Sequence, residues 1–107
     1  MDLHRLAEER SIAWHRAVAA RLAREPALLD TTRARLRGWI DENRSAHYAR
    51  QWLALVDSPL PTLLAFLVDP SERARALRQA TPFAGLIDAR ERWRIWRAVR
   101  EELEAGR

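Results

Sequence analysis

The sequence contains no cysteine and no lysine, only three glycines, and no apolar run long enough to cross a bilayer. Without cysteine, the chain cannot form a disulfide framework, a thiolate zinc site or a thiol nucleophile. The most apolar stretch, Trp52 to Val68, is interrupted by Asp57, Ser58, Pro59 and Pro61, and it therefore predicts two core helices that meet at a turn. The first residues run directly into a charged amphipathic pattern without the features of a signal peptide, so we expect a cytoplasmic protein without membrane contact.

All 19 basic residues are arginine, and with 15 acidic residues they give a net charge of +4. Alanine and leucine dominate the remaining positions, as a GC-rich codon supply favours, so we expect a bacterial source. With 107 residues, 48% hydrophobic and 32% charged, the chain has the size and composition of one globular domain, which we assign to residues 1–107. A net charge this small is weak evidence for nucleic-acid binding.

Apolar residues recur at helical spacing along most of the chain, and no segment has a convincing strand pattern. We therefore expect an all-α fold, a compact bundle of about five to six helices in which the first and last are longest. The first helix is predicted from Leu3 to about Arg24, and the second from Pro26 to about Glu42. The predicted inner positions are Leu3, Ala7, Trp14, Val18 and Leu22 in the first helix, and Leu28, Leu29, Leu36, Trp39 and Ile40 in the second.

Two serines predict where the third and fourth helices begin. Ser45 is the expected N-cap of the third helix, and Ser58, with Pro59 in the first helical position, is that of the fourth. The fourth helix is almost wholly apolar, so we expect it to be covered nearly all round. The predicted inner residues are Tyr48, Trp52, Leu55 and Val56 in the third helix, and Leu63, Leu64, Phe66 and Leu67 in the fourth.

Two capping-box patterns predict the last two helices. Asp69, with Glu72 three residues later, is expected to cap a short helix that ends at about Gln79, and Asp88 is expected to cap the final helix. Between them, the segment Thr81–Gly85 is predicted to be an extended connector, because it contains a proline and ends in glycine.

The histidines do not predict a catalytic or metal site. His4, Glu8, Ser11 and His15 share a stripe of the first helix, but the two imidazoles are three helical turns apart and cannot bind one ion together. His47 has no recognisable nucleophile partner. We therefore expect no metal, no cofactor and no enzymatic activity, and a small enzyme or enzyme subunit is the weakest of three functional hypotheses.

The final helix combines tryptophan with arginine, the residue types that anchor protein interfaces. Trp93 and Trp96 alternate with five arginines between positions 90 and 100. The spacing of Trp93, Trp96 and Val99 is also that of an ordinary buried stripe, which is the favoured interpretation for Trp96, whereas for Trp93 the two interpretations are balanced.

The segments Asp69–Gly85 and Arg92–Arg97, together with the opening pattern Leu3–His15, resemble small helical proteins of GC-rich bacteria. Those proteins are encoded beside nucleotidyltransferase-like toxins and are regarded as their antitoxins. The similarity covers most of the chain. It implies a toxin–antitoxin system in which this chain forms a stable complex with the toxin and occludes or distorts the toxin's nucleotide or RNA-acceptor site.

The leading functional hypothesis is thus a protein-binding module whose partner is a toxin encoded nearby. Its predicted partner-binding face comprises Arg78, Phe83, Arg90, Trp93, Arg94 and Arg97, although a core position is slightly favoured for Phe83. The alternative is a nucleic-acid-binding transcriptional regulator that contacts phosphates through Arg33, Arg35, Arg37 and Arg44. A homodimer is compatible with the apolar load of residues 52–68.

Overall fold

Six α-helices and one 3-10 turn make up the regular structure of the computed structural model, which describes residues 2–106. No strand occurs within that range. The elements are α1 (Leu3–Arg24), the 3-10 turn (Pro26–Leu28), α2 (Leu29–Asp41), α3 (Ala46–Val56), α4 (Leu60–Leu67), α5 (Glu72–Gln79) and α6 (Ala89–Ala105). The expected all-α bundle is confirmed, including the lengths of the first and last helices, which have 22 and 17 residues.

Helix α1 is the centre of the arrangement, because it packs against α4 and α5 on one part of its surface and against α6 on another. Its buried residues are Leu6, His15, Val18 and Leu22. Successive residues of an α-helix are rotated by about 100°, so Leu6 and His15 lie on nearly opposite sides of α1. The predicted single stripe was wrong at its beginning, since Leu3 is 74% exposed and Leu6 is buried instead.

The core is built around Trp52 of α3, which has no exposed surface. Its indole Nε1–H donates to the carbonyl oxygen of Leu77 at 2.9 Å, and its ring makes edge-to-face contacts with Phe66 and Phe83 at centroid distances of 5.8 and 5.4 Å. A buried tryptophan with a satisfied N–H contributes a large apolar area without an unpaired donor. Other fully buried aliphatic residues around it are Val18, Leu22, Leu36, Leu63, Leu67 and Leu77.

The link between α2 and α3 differs from the prediction in its chemistry. Asn43 has a positive φ of 53°, and the amides of Asn43 and Arg44 donate to the carbonyl oxygens of Ile40 and Trp39 at 3.1 and 2.7 Å. This is the Schellman pattern of a helix C-terminus. Ser45 precedes α3 as predicted, but its φ of 47° is left-handed and its side chain makes no capping hydrogen bond.

The predicted caps of α4 and α5 were also wrong. The hydroxyl of Ser58 donates back to the carbonyl oxygen of Leu55, and the extended Pro59, with ψ of 139°, is the residue that precedes α4. At α5, the cap is Ser71, whose hydroxyl oxygen accepts from the amide of Ala74 at 3.2 Å while donating to Asp69 at 2.8 Å. Each helix therefore begins later than its first capping residue predicts.

Two of the expected inner helix faces are partly exposed. Tyr48 of α3 is 37% exposed, so it lies outside the core stripe that Trp52 belongs to. In α4, Leu63 and Leu67 are buried, whereas Pro61, Thr62 and Ala65 are exposed. The expectation that α4 is covered nearly all round was therefore wrong. Trp52, Leu63 and Leu67 are used inside the monomer, and the homodimer stays a prediction.

The connector Thr81–Gly85 is irregular, as predicted, and is fixed to the helices around it. Arg35 of α2 donates through Nη1 to the carbonyl oxygens of Pro82 and Ala84 at 2.9 and 2.8 Å. Gly85 has a φ of +95°, which side chains with a Cβ rarely adopt. The connector is thus held in one conformation where it enters α6.

Between residues 2 and 106, every helix is too short or too polar to span a membrane.

Candidate functional site

Helix α6 is the least buried of the long helices. It packs chiefly against α1, and Val99 is its one buried residue. Asp88 caps it as predicted, accepting from the amide of Glu91 at 2.8 Å. Trp96 turns toward the body of the protein and is half-buried, whereas Trp93 is 59% exposed. The outer side of α6 is therefore open to solvent and carries a large aromatic ring.

The charges of α6 are distributed against the helix dipole. Its first half contains Arg90, Arg92, Arg94 and Arg97 with one glutamate, and its last turns contain three glutamates. The partial positive charge at a helix N-terminus disfavours cations, and the negative end disfavours carboxylates. Helix stability therefore does not explain why the arginines precede the glutamates. The first half of α6 carries four exposed arginines and only one glutamate.

Trp93 is oriented by its neighbour one turn later. The guanidinium carbon of Arg97 lies 5.7 Å from the centroid of the Trp93 ring, a cation–π distance. Arg90, Arg94 and Arg97 are all exposed, so four of the six predicted partner-binding residues share the surface of α6. We call Arg90, Trp93, Arg94 and Arg97 the α6 outer face.

The other two predicted partner-binding residues are interior, and their inclusion was wrong. Phe83 has no exposed surface and packs on Trp52. Arg78 of α5 is 5% exposed, and its Nη1 donates to the carbonyl oxygens of Leu67 and Asp69, the latter at 2.6 Å. A protein that docks on the α6 outer face does not reach either side chain, because Phe83 is fully buried and Arg78 is only 5% exposed.

A cleft of about 480 Å³ lies between α1, the connector and the inner side of α6. Trp96 forms one wall, and two arginines lie over its ring: Arg10 of α1 at 5.5 Å and Arg92 of α6 at 5.2 Å from the centroid. Trp14 of α1 and Arg78 of α5 also line the cleft. Sequence spacing marked Trp14 as an inner residue, but gave no signal for the placement of Arg10, Arg78 and Arg92 around one cavity.

His15 joins α1 to the connector beneath this cleft. Its Nδ1–H donates to the carbonyl oxygen of Ser11 at 2.7 Å, so its Nε2 is the acceptor for the hydroxyl of Thr81 at 3.0 Å. Burial lowers the pKa of His15 from 6.5 to about 4; the Ser11 hydrogen bond opposes this shift and the nearby positive charge of Arg78 adds to it. The ring is therefore neutral at physiological pH and acts as a fixed structural link.

The four arginines predicted to contact nucleic acid do not form a free surface. Arg33 pairs with Asp57 at 2.7 Å and with Asp30 at 3.1 Å, Arg35 binds the connector, and the guanidinium of Arg44 lies 5.4 Å from the centroid of Trp39. Arg37 is exposed. Three of the four thus make contacts within the chain, while Arg35, Arg37 and Arg44 remain exposed, and the shared phosphate-binding face stays a prediction.

The polar residues that share one stripe of α1, His4, Glu8, Ser11 and His15, do not form one site. Glu8 pairs with His4 at 3.0 Å and with Arg75 of α5 at 3.3 Å, while His15 is buried. Within residues 2–106, no three His, Asp or Glu side chains come together as metal ligands would. His47 is exposed and bonds to Gln51 at 3.0 Å.

Comparison of the chain with models of known protein families, with curated proteins and with solved structures gives no match.

Proposed function

We propose that this chain is a non-enzymatic, cytoplasmic protein-binding module, and specifically a bacterial antitoxin that neutralises a nucleotidyltransferase-like toxin by forming a direct complex. The observation that carries the proposal is the α6 outer face, where the 59% exposed Trp93 lies beside three exposed arginines. The identity of the partner is supported by the resemblance of Asp69–Gly85 and Arg92–Arg97 to such antitoxins.

Trp93 has the properties of an interface anchor. It is the one exposed tryptophan of the five in the chain, and leaving a ring of this size in water forgoes a large hydrophobic gain that a partner recovers on binding. The contact with Arg97 restricts the ring before a partner arrives, which reduces the entropy lost on docking.

The charge of the α6 outer face defines its partner. Three exposed arginines share this face with the ring, and none of them pairs with a carboxylate elsewhere in residues 2–106. A complementary surface carries an apolar recess for Trp93 bordered by aspartate or glutamate. The occupant we propose is therefore an acidic face of the toxin, placed so that the bound antitoxin occludes or distorts the nucleotide or RNA-acceptor site.

Co-expression with the protein encoded beside this chain tests the proposal. We expect the neighbouring protein to inhibit growth when expressed alone, and the two proteins to co-elute from gel filtration when expressed together. Separate elution, combined with a neighbour that is harmless to the cell, would refute the antitoxin function.

The alternative function, a nucleic-acid-binding regulator, stays a prediction. Its predicted phosphate contacts are Arg33, Arg35, Arg37 and Arg44, of which the last three are exposed. Its mark is retardation of operator DNA in a gel at low salt that disappears as salt is raised, since phosphate contacts release counterions. Absence of retardation at low salt would exclude it.

A further inference from the structure

The cleft between α1, the connector and α6 has an unusual charge composition for a cavity of its size. Its volume of about 480 Å³ is within the range of small-molecule sites. Arg10, Arg78 and Arg92 all line it, and no aspartate or glutamate does. The lining of the cavity is therefore positive. Burial lowers the pKa of Arg78, and the negative charges of Asp69 and Glu8, which lie outside this lining, oppose that shift.

Arg78 is the buried cation of this cleft. It is 5% exposed, and among residues 2–106 no carboxylate lies within ion-pair distance of its guanidinium. Its hydrogen bonds to Leu67 and Asp69 both use Nη1, and its Nε is buried without any acceptor. The edge formed by Nε and Nη2 is one of the two edges that bind a carboxylate through paired hydrogen bonds.

Arg10, which also lines the cleft, is a second arginine with an unpaired guanidinium nitrogen. Its Nε is also buried without an acceptor, and its guanidinium lies over Trp96. Buried donors in folded proteins are nearly always satisfied, so two unpaired guanidinium nitrogens in residues lining one cavity indicate a missing acceptor. Either an anion or a water molecule in the cleft can supply it.

The remaining walls are apolar and aromatic. Trp14 and Trp96 contribute ring surfaces, and Ala7 and Ile87 contribute aliphatic ones. A hydrated inorganic anion would leave these walls unused, whereas a planar ring can stack on an indole and an arginine plane. The hydroxyl of Thr81 is already committed to the neutral His15, so the arginines and the hydroxyl of Ser11 are the polar groups available to orient a ligand.

We propose that this cleft binds a small aromatic carboxylate, with the carboxylate on the Nε and Nη2 edge of Arg78 and the ring between Trp14 and Trp96. The site lies on the inner side of α6, and it does not depend on the function proposed for the outer face. Because the Nε of Arg78 is buried in the free chain, this pairing requires the side chains that line the cleft to move.

The test uses 3-phenylpropionate and its neutral amide, 3-phenylpropionamide, with the full ¹⁵N-labelled chain. The indole N–H signals are assigned by single Trp→Phe substitutions. We expect the carboxylate to shift the signals of Trp14 and Trp96 but not that of the buried Trp52, with a Kd on the order of 1 mM. The amide is expected to bind at least about tenfold more weakly, because it cannot form a charge-assisted pair.

Arginine variants locate the anion within the chain. Arg78→Gln is expected to reduce the preference for the carboxylate over the amide to about twofold or less. Arg94→Gln, on the same helix as Arg92 but outside the cleft, is the matched control and leaves the preference unchanged. If circular dichroism shows that Arg78→Gln does not fold, Arg10→Gln and Arg92→Gln take its place and are each expected to weaken carboxylate binding severalfold.

Three results would overturn the inference. They are the absence of shifts at Trp14 and Trp96 up to about 10 mM carboxylate, equal affinity for the acid and the amide, and an equal loss of affinity in Arg94→Gln.

Discussion

Lowering the pH is expected to destabilise this protein through one buried group, His15. The unfolded chain binds a proton at His15 near its ordinary pKa of 6.5, whereas the folded chain binds it only near about 4. The unfolded state therefore takes up protons first as the pH falls. The stabilisation due to neutral His15 is complete above pH 6.5 and is lost progressively toward pH 4.

The size of this effect follows from the pKa difference. A shift from 6.5 to about 4 corresponds to about 3 kcal/mol of unfolding free energy across the whole window. On the same relation, the loss is about 1 kcal/mol at about pH 5.5 and most of the total at about pH 4.5. Carboxylates also titrate in this range, so the contribution of His15 must be obtained as a difference between two proteins.

The comparison is urea unfolding of the wild type and of His15→Gln at several pH values, followed by tryptophan fluorescence. At neutral pH the variant is expected to be less stable by about 2 kcal/mol, because it loses the hydrogen bonds to Ser11 and Thr81. That gap should close as the pH approaches 4.5, since only the wild type carries the histidine.

Substitution of the exposed His47 by glutamine is the matched control for replacing a histidine outside the core. A constant gap between wild type and His15→Gln at all pH values, or an NMR titration of the His15 ring near 6.5, would refute the burial argument.

Three further predictions concern stability and are measured by urea unfolding. Phe83→Ala is expected to cost about 3–5 kcal/mol because it empties a fully buried site, and Phe83→Leu much less; a cost below about 1 kcal/mol for alanine would contradict the interior position. At Gly38 and Gly85 a new methyl group meets no atom, so only the backbone decides the effect of alanine. Gly85→Ala should destabilise the fold by about 1 kcal/mol because φ is +95°, whereas Gly38→Ala within α2 should stabilise it by about 0.5 kcal/mol. Effects of the same sign would contradict the backbone conformations. Ser71→Ala should cost about 1 kcal/mol through loss of the α5 cap. Ser45→Gly should stabilise by up to about 1 kcal/mol, because glycine adopts the left-handed backbone conformation of Ser45 more easily. Lower stability of Ser45→Gly would show that the hydroxyl of Ser45 matters more than its backbone.

The helices could be predicted from sequence because helical periodicity is local. Leu22, Leu36 and Trp52 each belong to the apolar stripe predicted for their own helix, and all three are buried. The caps were less predictable, because a proline next to a capping residue shifts the helix start. At α5 the segment from Asp69 contains two capping residues, and the later one, Ser71, binds the helix amide.

The candidate site could be predicted only in part, because burial depends on which helices meet. Trp93 and Trp96 are three residues apart on α6, and nothing in their immediate sequence decides which one faces α1. Arg78 has the sequence context of a surface residue, yet contacts from α4 and the following turn enclose it. His15 reaches Thr81 across 66 residues of sequence, a contact that no local pattern can indicate.

Arginine roles were the least predictable feature. Arg35 and Arg44 were predicted as parts of one basic surface. Both are exposed, but Arg35 reaches the connector and Arg44 lies over Trp39 near the end of α2. The long arginine side chain can span several surfaces with one charge. Counting arginines therefore overestimates the basic surface that is free to bind another molecule.

The most direct test of the central claim is the affinity of the purified chain for the protein encoded beside it, measured by calorimetry for two single substitutions of exposed aromatic residues. Trp93→Ala removes the anchor of the α6 outer face, and Tyr48→Ala removes an exposed ring on α3. We expect Trp93→Ala to raise the Kd by about 30-fold or more and Tyr48→Ala to change it by less than about twofold. Equal affinities for the wild type and Trp93→Ala would contradict the account.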